Sequence, residues 1–114
     1  MSNTAYKKIN SDLRYVYSEN DTLSIIFQSN EILSGVVGEF NKNLKELEKI
    51  TKTKIYSRGN SIVVKSNLKK NELIKNAIQF LSEQLKINGA IEKKDIISSV
   101  NKFMIEEKIN NPKK

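Results

Sequence analysis

Apolar residues in this chain change their spacing along its length, and that change limits the folds that the chain can adopt. In residues 22–28 apolar and polar side chains alternate, which is the pattern of a β-strand with one buried face. In residues 61–65 three apolar residues follow one another, which favours a central strand. In residues 73–85 the apolar positions recur at the spacing of one helical face. These patterns predict an α/β domain of the α+β kind, with helices packed against one sheet.

The predicted elements follow one another as strand, helix, helix, strand, strand and helix, with one further helix appended. Asn30 is a candidate cap for the first helix, and Asn41 or Asn43 is a candidate cap for the second. Asn88 and Gly89 are expected to end the longest helix as a left-handed cap. The expected strands are 22–28, 53–57 and 61–65, and the expected helices are 31–37, 42–52, 69–87 and 93–109. We therefore expect a three-stranded sheet covered on one face by helices, with the last helix packed outside.

The second and third predicted strands are joined by Arg58-Gly59-Asn60, in which the glycine can adopt the backbone that a tight hairpin requires. Because residues 61–65 are apolar on both faces, we expect them to lie between strands 22–28 and 53–57.

The chain is expected to divide into an arm, a domain and an appended segment. Residues 1–21 form the arm, with an alternating pattern at 13–17 that suits a short strand leading into a hairpin. Residues 22–88 form the domain, and residues 89–114 form the appended helix and a linker. The first residues do not resemble a signal peptide, and no stretch approaches the roughly 18 apolar residues of a membrane span. We expect a cytoplasmic protein with no membrane partner.

Cysteine and histidine are both absent from the sequence. Their absence excludes Cys/His zinc sites, Ser-His-Asp triads, cysteine nucleophiles and disulfides. The carboxylate pairs Glu46/Glu48 and Glu106/Glu107 lie in lysine-rich helical surroundings, where full solvation is the ordinary outcome. We therefore predict no enzymatic activity, no catalytic residue and no metal site in this chain.

The positive charge of the chain is concentrated in one segment. The net charge is +7, and residues 41–70 hold nine basic residues against two acidic ones, whereas the two signs balance elsewhere. A lysine-rich composition can also reflect an AT-rich genome, but that origin does not explain a local concentration. A localised positive charge favours a polyanionic partner. The basic residues of the segment are Lys42, Lys45, Lys49, Lys52, Lys54, Arg58, Lys65, Lys69 and Lys70.

The predicted order of elements is that of a KH domain of the βααββα type. A KH domain holds single-stranded nucleic acid at a glycine loop between its first two helices, where backbone N–H groups face phosphates. The usual loop is Gly-x-x-Gly, and this chain has Gly38-Glu39-Phe40-Asn41. Asn41 tolerates a positive φ better than most residues, whereas Glu39 would repel a phosphate. The loop is a degenerate form of the motif, and a helix-turn-helix corner that needs a glycine is the alternative.

Candidate nucleic-acid-binding residues are expected around this loop. One helical face opposite the apolar residues carries Lys42, Lys45, Lys49 and Lys52, a pattern that is also typical of a merely solvated face. Phe40 and Tyr56 are the aromatic side chains near the expected groove, and for Phe40 we favour an anchor that packs the loop onto the core. The predicted site comprises Gly38, Phe40, Asn41, Lys42, Lys45, Lys49, Lys54, Arg58 and Lys65.

Two stretches carry a resemblance to a known family. Residues 36–48 contain the glycine loop followed by Asn-Leu-x-x-Leu-Glu, and residues 54–64 contain Arg-Gly-Asn ahead of an apolar strand. At these intervals the chain resembles the amino-terminal domain of PhoH-like proteins, the phosphate-starvation-inducible family, over roughly residues 22–105. The resemblance assigns most of the matched residues to the fold, and makes Gly38 and Arg58 the better candidates for RNA contact. The matched residues are Gly38, Asn43, Leu44, Leu47, Glu48, Arg58, Gly59 and Asn60.

In that family the domain precedes a P-loop ATPase domain proposed to act on RNA. The sequence has no Gly-x-x-x-x-Gly-Lys-Ser/Thr motif, so ATP and Mg are expected only in an ATPase domain that this chain lacks. The chain looks like a truncated piece of a longer protein. The resemblance implies that it binds single-stranded RNA on behalf of its own ATPase domain. The alternative is a degenerate KH fold that serves in docking or homo-oligomerisation through helix 93–109, without binding RNA.

Overall fold

The computed structural model describes residues 13–101 and residue 105. Short 3-10 turns at Glu19–Asp21 and Glu39–Asn41 join the longer elements, and the whole is a mixed α+β fold. The strands are β1 (Leu13–Ser18), β2 (Thr22–Phe27), β3 (Lys54–Arg58) and β4 (Ser61–Lys65). The helices are α1 (Asn30–Val37), α2 (Lys42–Thr51), α3 (Leu68–Asn88) and α4 (Lys93–Ser99).

The four strands form one antiparallel sheet in the order β1-β2-β4-β3. The predicted central position of residues 61–65, between the other two predicted strands, is confirmed. The prediction of three strands is wrong, because β1 pairs with β2 along its full length, from Leu13 opposite Phe27 to Ser18 opposite Thr22. The alternating side chains of residues 13–17 indicated a short strand here. Because this strand pairs with the free edge of β2, it becomes the fourth strand of the sheet.

The helices cover one face of the sheet because each strand directs alternate apolar side chains toward them. In β2, Leu23, Ile25 and Phe27 are buried while the residues between them remain partly exposed. In α2, Leu44 and Leu47 complete the same core. Burial of these side chains supplies the main driving force for folding. The buried cluster consists of Leu13, Leu23, Ile25, Phe27, Leu33, Val36, Leu44, Leu47, Ile55, Ile62, Val64, Ile74, Ala77, Ile78, Leu81, Ile96 and Val100.

The helix ends follow local chemistry, with two corrections to the predicted caps. Asn41 precedes α2 with a left-handed backbone, but its side chain makes no capping hydrogen bond, and Asn43 lies inside the helix. Ser29, and not Asn30, caps α1, since the Oγ atom of Ser29 accepts a hydrogen bond from the Ile32 N–H at 3.2 Å. Ser29 has the extended backbone of a cap residue, whereas Asn30 is already helical. The left-handed cap predicted at Gly89 is confirmed, with φ of +81° and an N–H that donates to the Leu85 carbonyl at 2.7 Å.

The hairpin between β3 and β4 has a two-residue loop, one residue shorter than the predicted connection, because Arg58 still pairs with Ser61. Gly59 in this loop has the positive φ that the prediction requires, +61°. Asn60 joins it to the end of β2: the Phe27 N–H donates to the Asn60 carbonyl at 2.9 Å, and Asn60 Nδ2 donates to the Phe27 carbonyl at 3.3 Å. The tip of this hairpin is therefore held against the neighbouring strand.

The predicted elements at 31–37, 42–52 and 69–87 agree with α1, α2 and α3 to within one residue. The predicted helix 93–109 is observed in part: α4 ends at Ser99, and Val100 leaves the helical backbone with φ of −123° and ψ of 15°. Asn101 and Ile105 are again helical, and the other residues of the predicted helix beyond 101 lie outside the described part. The predicted arm before residue 13 and the pair Glu106/Glu107 lie outside it as well. Among the described helices, none is long and apolar enough to cross a membrane.

Candidate nucleic-acid interface

The loop between α1 and α2 has a constrained backbone. Gly38 has φ of 79° and ψ of 168°, a region that is essentially restricted to glycine. Phe40 and Asn41 follow with φ of 55° and 59°, so both adopt left-handed conformations. A Cβ atom added to Gly38 would lie 2.7 Å from Asn43 Nδ2. Backbone conformation and close approach therefore both require glycine at position 38.

Asn43 fastens this loop to the preceding helix. Its side chain is buried, and Nδ2 donates to the Val36 carbonyl at 3.1 Å and lies 3.5 Å from the Gly35 carbonyl. Both carbonyls belong to the last turn of α1, where helical carbonyls have no partner within the helix. Asn43 thus completes the end of α1 from the start of α2.

Phe40 projects from the loop into solvent, with 86% of its surface exposed. The prediction that Phe40 anchors the loop onto the core is wrong. The loop is held instead by Asn43 and by the Asn41 N–H, which donates to the Gly38 carbonyl at 3.0 Å. Because polar contacts hold the loop, its aromatic side chain does not need to pack inward.

A stripe of lysines follows the loop along α2. Lys42, Lys45 and Lys49 are exposed, on the opposite side of the helix from the buried Leu44 and Leu47. Within the described residues none of these three lysines forms an ion pair. The helix-side surface is defined here as Gly38, Phe40, Asn41, Lys42, Lys45 and Lys49.

The structure places the other predicted residues on a different surface. Ile55 points into the core, so strand alternation directs Lys54, Tyr56 and Arg58 to the opposite face of the sheet. Lys65 is paired with Lys54 and lies on the same face. The residues predicted for one groove are therefore divided between the helix layer and the uncovered face of the sheet.

The open sheet face is the side of the sheet that the described helices leave uncovered. Register places its outward residues in three rows that run across the four strands. The rows, from β1 to β3, are Arg14, Ile26, Ser61 and Arg58; Val16, Ser24, Val63 and Tyr56; and Ser18, Thr22, Lys65 and Lys54. Sequence reasoning missed Arg14, because only the pairing of β1 with β2 brings it to this face.

Three residues of the family-like motif make bonds to the backbone. Asn43 completes the end of α1, and Asn60 ties the hairpin to β2. Glu48 Oε2 accepts a hydrogen bond from the Ile55 N–H at 3.2 Å, which links α2 to β3. These contacts join the elements on either side of the glycine loop and the hairpin, so the three side chains serve the fold.

Tyrosine side chains attach β1 to α3. The Tyr17 hydroxyl donates a hydrogen bond to the Glu72 carboxylate, which raises the pKa of Tyr17 to about 12 and lowers the pKa of Glu72. Burial raises the pKa of Tyr15, and the ammonium group of Lys75 lies 5.1 Å from the centre of the Tyr15 ring. These contacts hold the edge strand β1 against α3, and they lie on the helix side of the sheet.

A depression of about 430 Å³ separates the start of α2 from the segment that leads into α4. Its charged lining residues are of both signs, which does not favour a polyanion. The lining residues are Lys42, Asn43, Glu46, Ile91, Glu92, Lys93 and Ile96.

The two cationic surfaces contain groups that can bind anions and stack on planar rings. Comparison with models of known families, with curated proteins and with solved structures finds no match to this chain.

Proposed function

We propose that this chain binds single-stranded RNA through the helix-side surface, as a KH-like module of a PhoH-like ATPase. The connectivity β2-α1-α2-β3-β4-α3, with β4 between β2 and β3, supports a KH-like arrangement. Strand β1 is then an addition at the free edge of β2.

The exposure of Phe40 carries the proposal. An aromatic side chain that is 86% exposed, on a residue with a left-handed backbone, gains little from the hydrophobic effect and carries a conformational cost. Strain of this kind concentrates at functional sites. An exposed ring beside a lysine stripe is suited to stack on an RNA base while the lysines contact phosphates.

The charges around the loop support a modest affinity. Lys42, Lys45 and Lys49 provide three cations that form no ion pair with any described residue, and exposed Glu39 lies at the loop with the opposite charge. Three phosphate contacts imply a slope of about −2 in a plot of log affinity against log salt. Electrostatic binding of this kind has weak sequence preference, which suits a module that feeds RNA to another domain.

The ATPase domain would belong to a longer protein, and it would hold the ATP and Mg. In this proposal the present chain has no enzymatic activity of its own and serves to hold RNA close to that domain.

Fluorescence anisotropy with a labelled ten-nucleotide polyuridine RNA tests the proposal. Phe40→Leu removes the ring and should weaken binding by about 1 to 3 kcal/mol, whereas Phe40→Tyr keeps the ring and should bind like the native chain. Lys45→Gln should reduce the salt slope by about 0.7.

Lys75→Gln is the matched control for charge, because it removes one positive charge on α3, where Lys75 pairs with Glu72 and contacts Tyr15. Phe40 is exposed, so both of its variants should retain the native melting temperature. Equal affinities of Phe40→Leu and the native chain would contradict a role for the loop in RNA binding.

A docking or oligomerisation module without RNA binding is the second candidate. Ile87 and Ile105 are 74% and 50% exposed, and Ile97 on α4 is also exposed, so isoleucine side chains are available for contact near α4. Light scattering coupled to size-exclusion chromatography tests this candidate. A stable oligomer that dissociates on Ile97→Glu and does not bind the polyuridine RNA would favour docking over RNA binding.

A further inference from the structure

The open sheet face carries four cations and no carboxylate among its twelve outward residues. Arg14 and Arg58 occupy the two ends of one row, while Lys65 and Lys54 are neighbours in the row at the other end. Adjacent strands lie about 4.8 Å apart, so the row from Arg14 to Arg58 spans about 14 Å of backbone. Long side chains from both ends can therefore reach across the face.

None of these four cations forms an ion pair within the described part of the chain. Lysine and arginine side chains on most surfaces have carboxylates nearby, and a face with a single sign of charge repels itself in the absence of a ligand. Along the chain, Asp12 lies two residues from Arg14, and Glu19 and Asp21 lie in the turn between β1 and β2. The positive potential is consequently strongest on the β3–β4 side.

The middle row provides an aromatic and apolar strip between the charged rows. Tyr56 is partly exposed beside Val63, which has only 5% of its surface exposed although it lies on the uncovered face. A depression of about 430 Å³ opens at this position, within the roughly 300–1,000 Å³ of small-molecule sites. Hydroxyl groups of Ser18, Thr22 and Ser24 are on its lining and can donate hydrogen bonds to an anion.

We infer that the open sheet face is a second surface for single-stranded nucleic acid, centred on Tyr56 and separate from the Gly38 loop. A base stacks on the Tyr56 ring, and the flanking phosphates contact Arg58 on one side and Lys54 and Lys65 on the other. Lys54 and Arg58 are four residues apart on β3, about 13 Å, with Tyr56 midway between them.

The chemistry of the face favours a nucleic-acid strand over other polyanions. An acidic peptide would use the cations but not the tyrosine ring or the depression beside it. A four-stranded sheet with an aromatic residue on its open face is a known platform for unstacked bases. The combination of ring, hydroxyls and cations matches a base with phosphates on both sides.

This inference goes beyond the proposed function because it involves different residues, and either surface can bind without the other. Titration of the ¹⁵N-labelled 114-residue chain with the polyuridine RNA distinguishes them by amide shifts. Binding at the sheet should shift the amides of Tyr56, Arg58 and Val63, whereas binding at the loop should shift those of Gly38 and Lys42.

Affinity measurements on two Tyr56 variants complete the test. Tyr56→Leu removes the ring but keeps an apolar cover over Val63, and it should weaken RNA binding between about 5-fold and about 150-fold. Tyr56→Phe keeps the ring that stacks on a base, so its affinity for the RNA should stay within about 2-fold of the native affinity. Arg58→Gln should reduce the salt slope by about 0.7, with Lys75→Gln as the charge control.

Shifts confined to the loop, with native affinity in Tyr56→Leu, would overturn the inference and leave the proposed function intact. Shifts confined to the sheet would support the inference and remove the proposed loop site. Absence of RNA binding at low salt would overturn both. If polyglutamate shifts the Tyr56 and Val63 amides as strongly as RNA, and Tyr56→Leu binds RNA normally, the face binds acidic polymers in general and the inference fails.

Discussion

Asn43 on α2 reaches back across the loop and donates a hydrogen bond to the carbonyl of Val36 at 3.1 Å. The two partners are seven positions apart in the chain, and the loop that carries Phe40 lies between them. The loop is therefore shaped by a buried polar contact, while its aromatic side chain is left free for a ligand.

Removal of this contact should loosen the loop. Asn43→Ala leaves the carbonyl of Val36 buried without its donor, so we expect the free energy of unfolding to fall by about 1 to 3 kcal/mol in urea titrations. Asn43→Asp should cost more, since a carboxylate would face the same carbonyl oxygen without a hydrogen to donate. Lys45→Ala, on the exposed face of the same helix, is the control and should stay close to native stability. If Asn43→Ala has the same free energy of unfolding as the native chain, the loop does not depend on this bond.

Gly38 and Gly59 both have positive φ, but they differ in the space around them. A Cβ atom at Gly38 meets the Asn43 side chain at 2.7 Å, whereas one at Gly59 meets nothing within 4 Å. Gly59→Ala should cost about 1 to 2 kcal/mol for the left-handed backbone alone. Gly38→Ala should cost more, because its backbone region excludes alanine and the Asn43 contact must shift as well. Equal urea midpoints for the two variants would show that the Gly38 loop accommodates alanine without an additional loss of stability.

The Tyr17–Glu72 contact should make the attachment of β1 depend on pH. The hydrogen bond from the Tyr17 hydroxyl raises the pKa of Tyr17 to about 12. The stability that this bond adds to the folded chain is therefore complete below the usual pKa of 10.0 and is lost as pH rises through about 12. The same bond lowers the pKa of Glu72 from 4.5. The stability gained from ionised Glu72 is therefore complete above pH 4.5 and is lost as pH falls through the lowered pKa of Glu72. Because both side chains are exposed, the effect should be small.

Melting temperatures measured against pH check this expectation. The difference between the native chain and Tyr17→Phe should be level between about pH 5 and pH 9 and should shrink in acid. Tyr15→Phe is the control, since the Tyr15 hydroxyl faces the neutral amide of Gln79 at 3.4 Å and its removal should have the same effect at pH 3 and pH 7. A Tyr17→Phe difference that does not change in acid would contradict the link to Glu72.

Glu39 should limit RNA affinity if RNA passes the loop. Glu39→Lys replaces a repulsive charge with an attractive one, so binding of the polyuridine RNA should tighten and the salt slope should steepen by about 0.7. Glu31→Lys is the matched control, because Glu31 is also exposed and lies at the opposite end of α1. If both substitutions raise the affinity for the RNA equally, the effect is one of overall charge, and the RNA does not pass along the loop.

Local patterns in the amino-acid sequence were enough to predict the kind and order of most helices and strands. Alternation in residues 22–28 and helical spacing in residues 73–85 are local patterns, and each reflects which side chains of one element are buried. The concentration of positive charge in residues 41–70 is likewise visible without coordinates. Gly59 and Gly89 could be predicted because a turn and a helix end impose a local backbone requirement.

The grouping of the charged and aromatic residues depends on how the strands pair and on how the loop is held. Strand alternation separates Lys54 and Arg58 from the lysines of α2, and the pairing of β1 with β2 and of β2 with β4 brings Arg14 into one row with Arg58. Phe40 is exposed on the loop that Asn43 joins to α1 by a hydrogen bond. Periodicity states which side of an element is buried, but not which distant strand lies beside it or which side chain closes a loop. Those outcomes depend on contacts between residues far apart in the chain, and only the folded structure contains them.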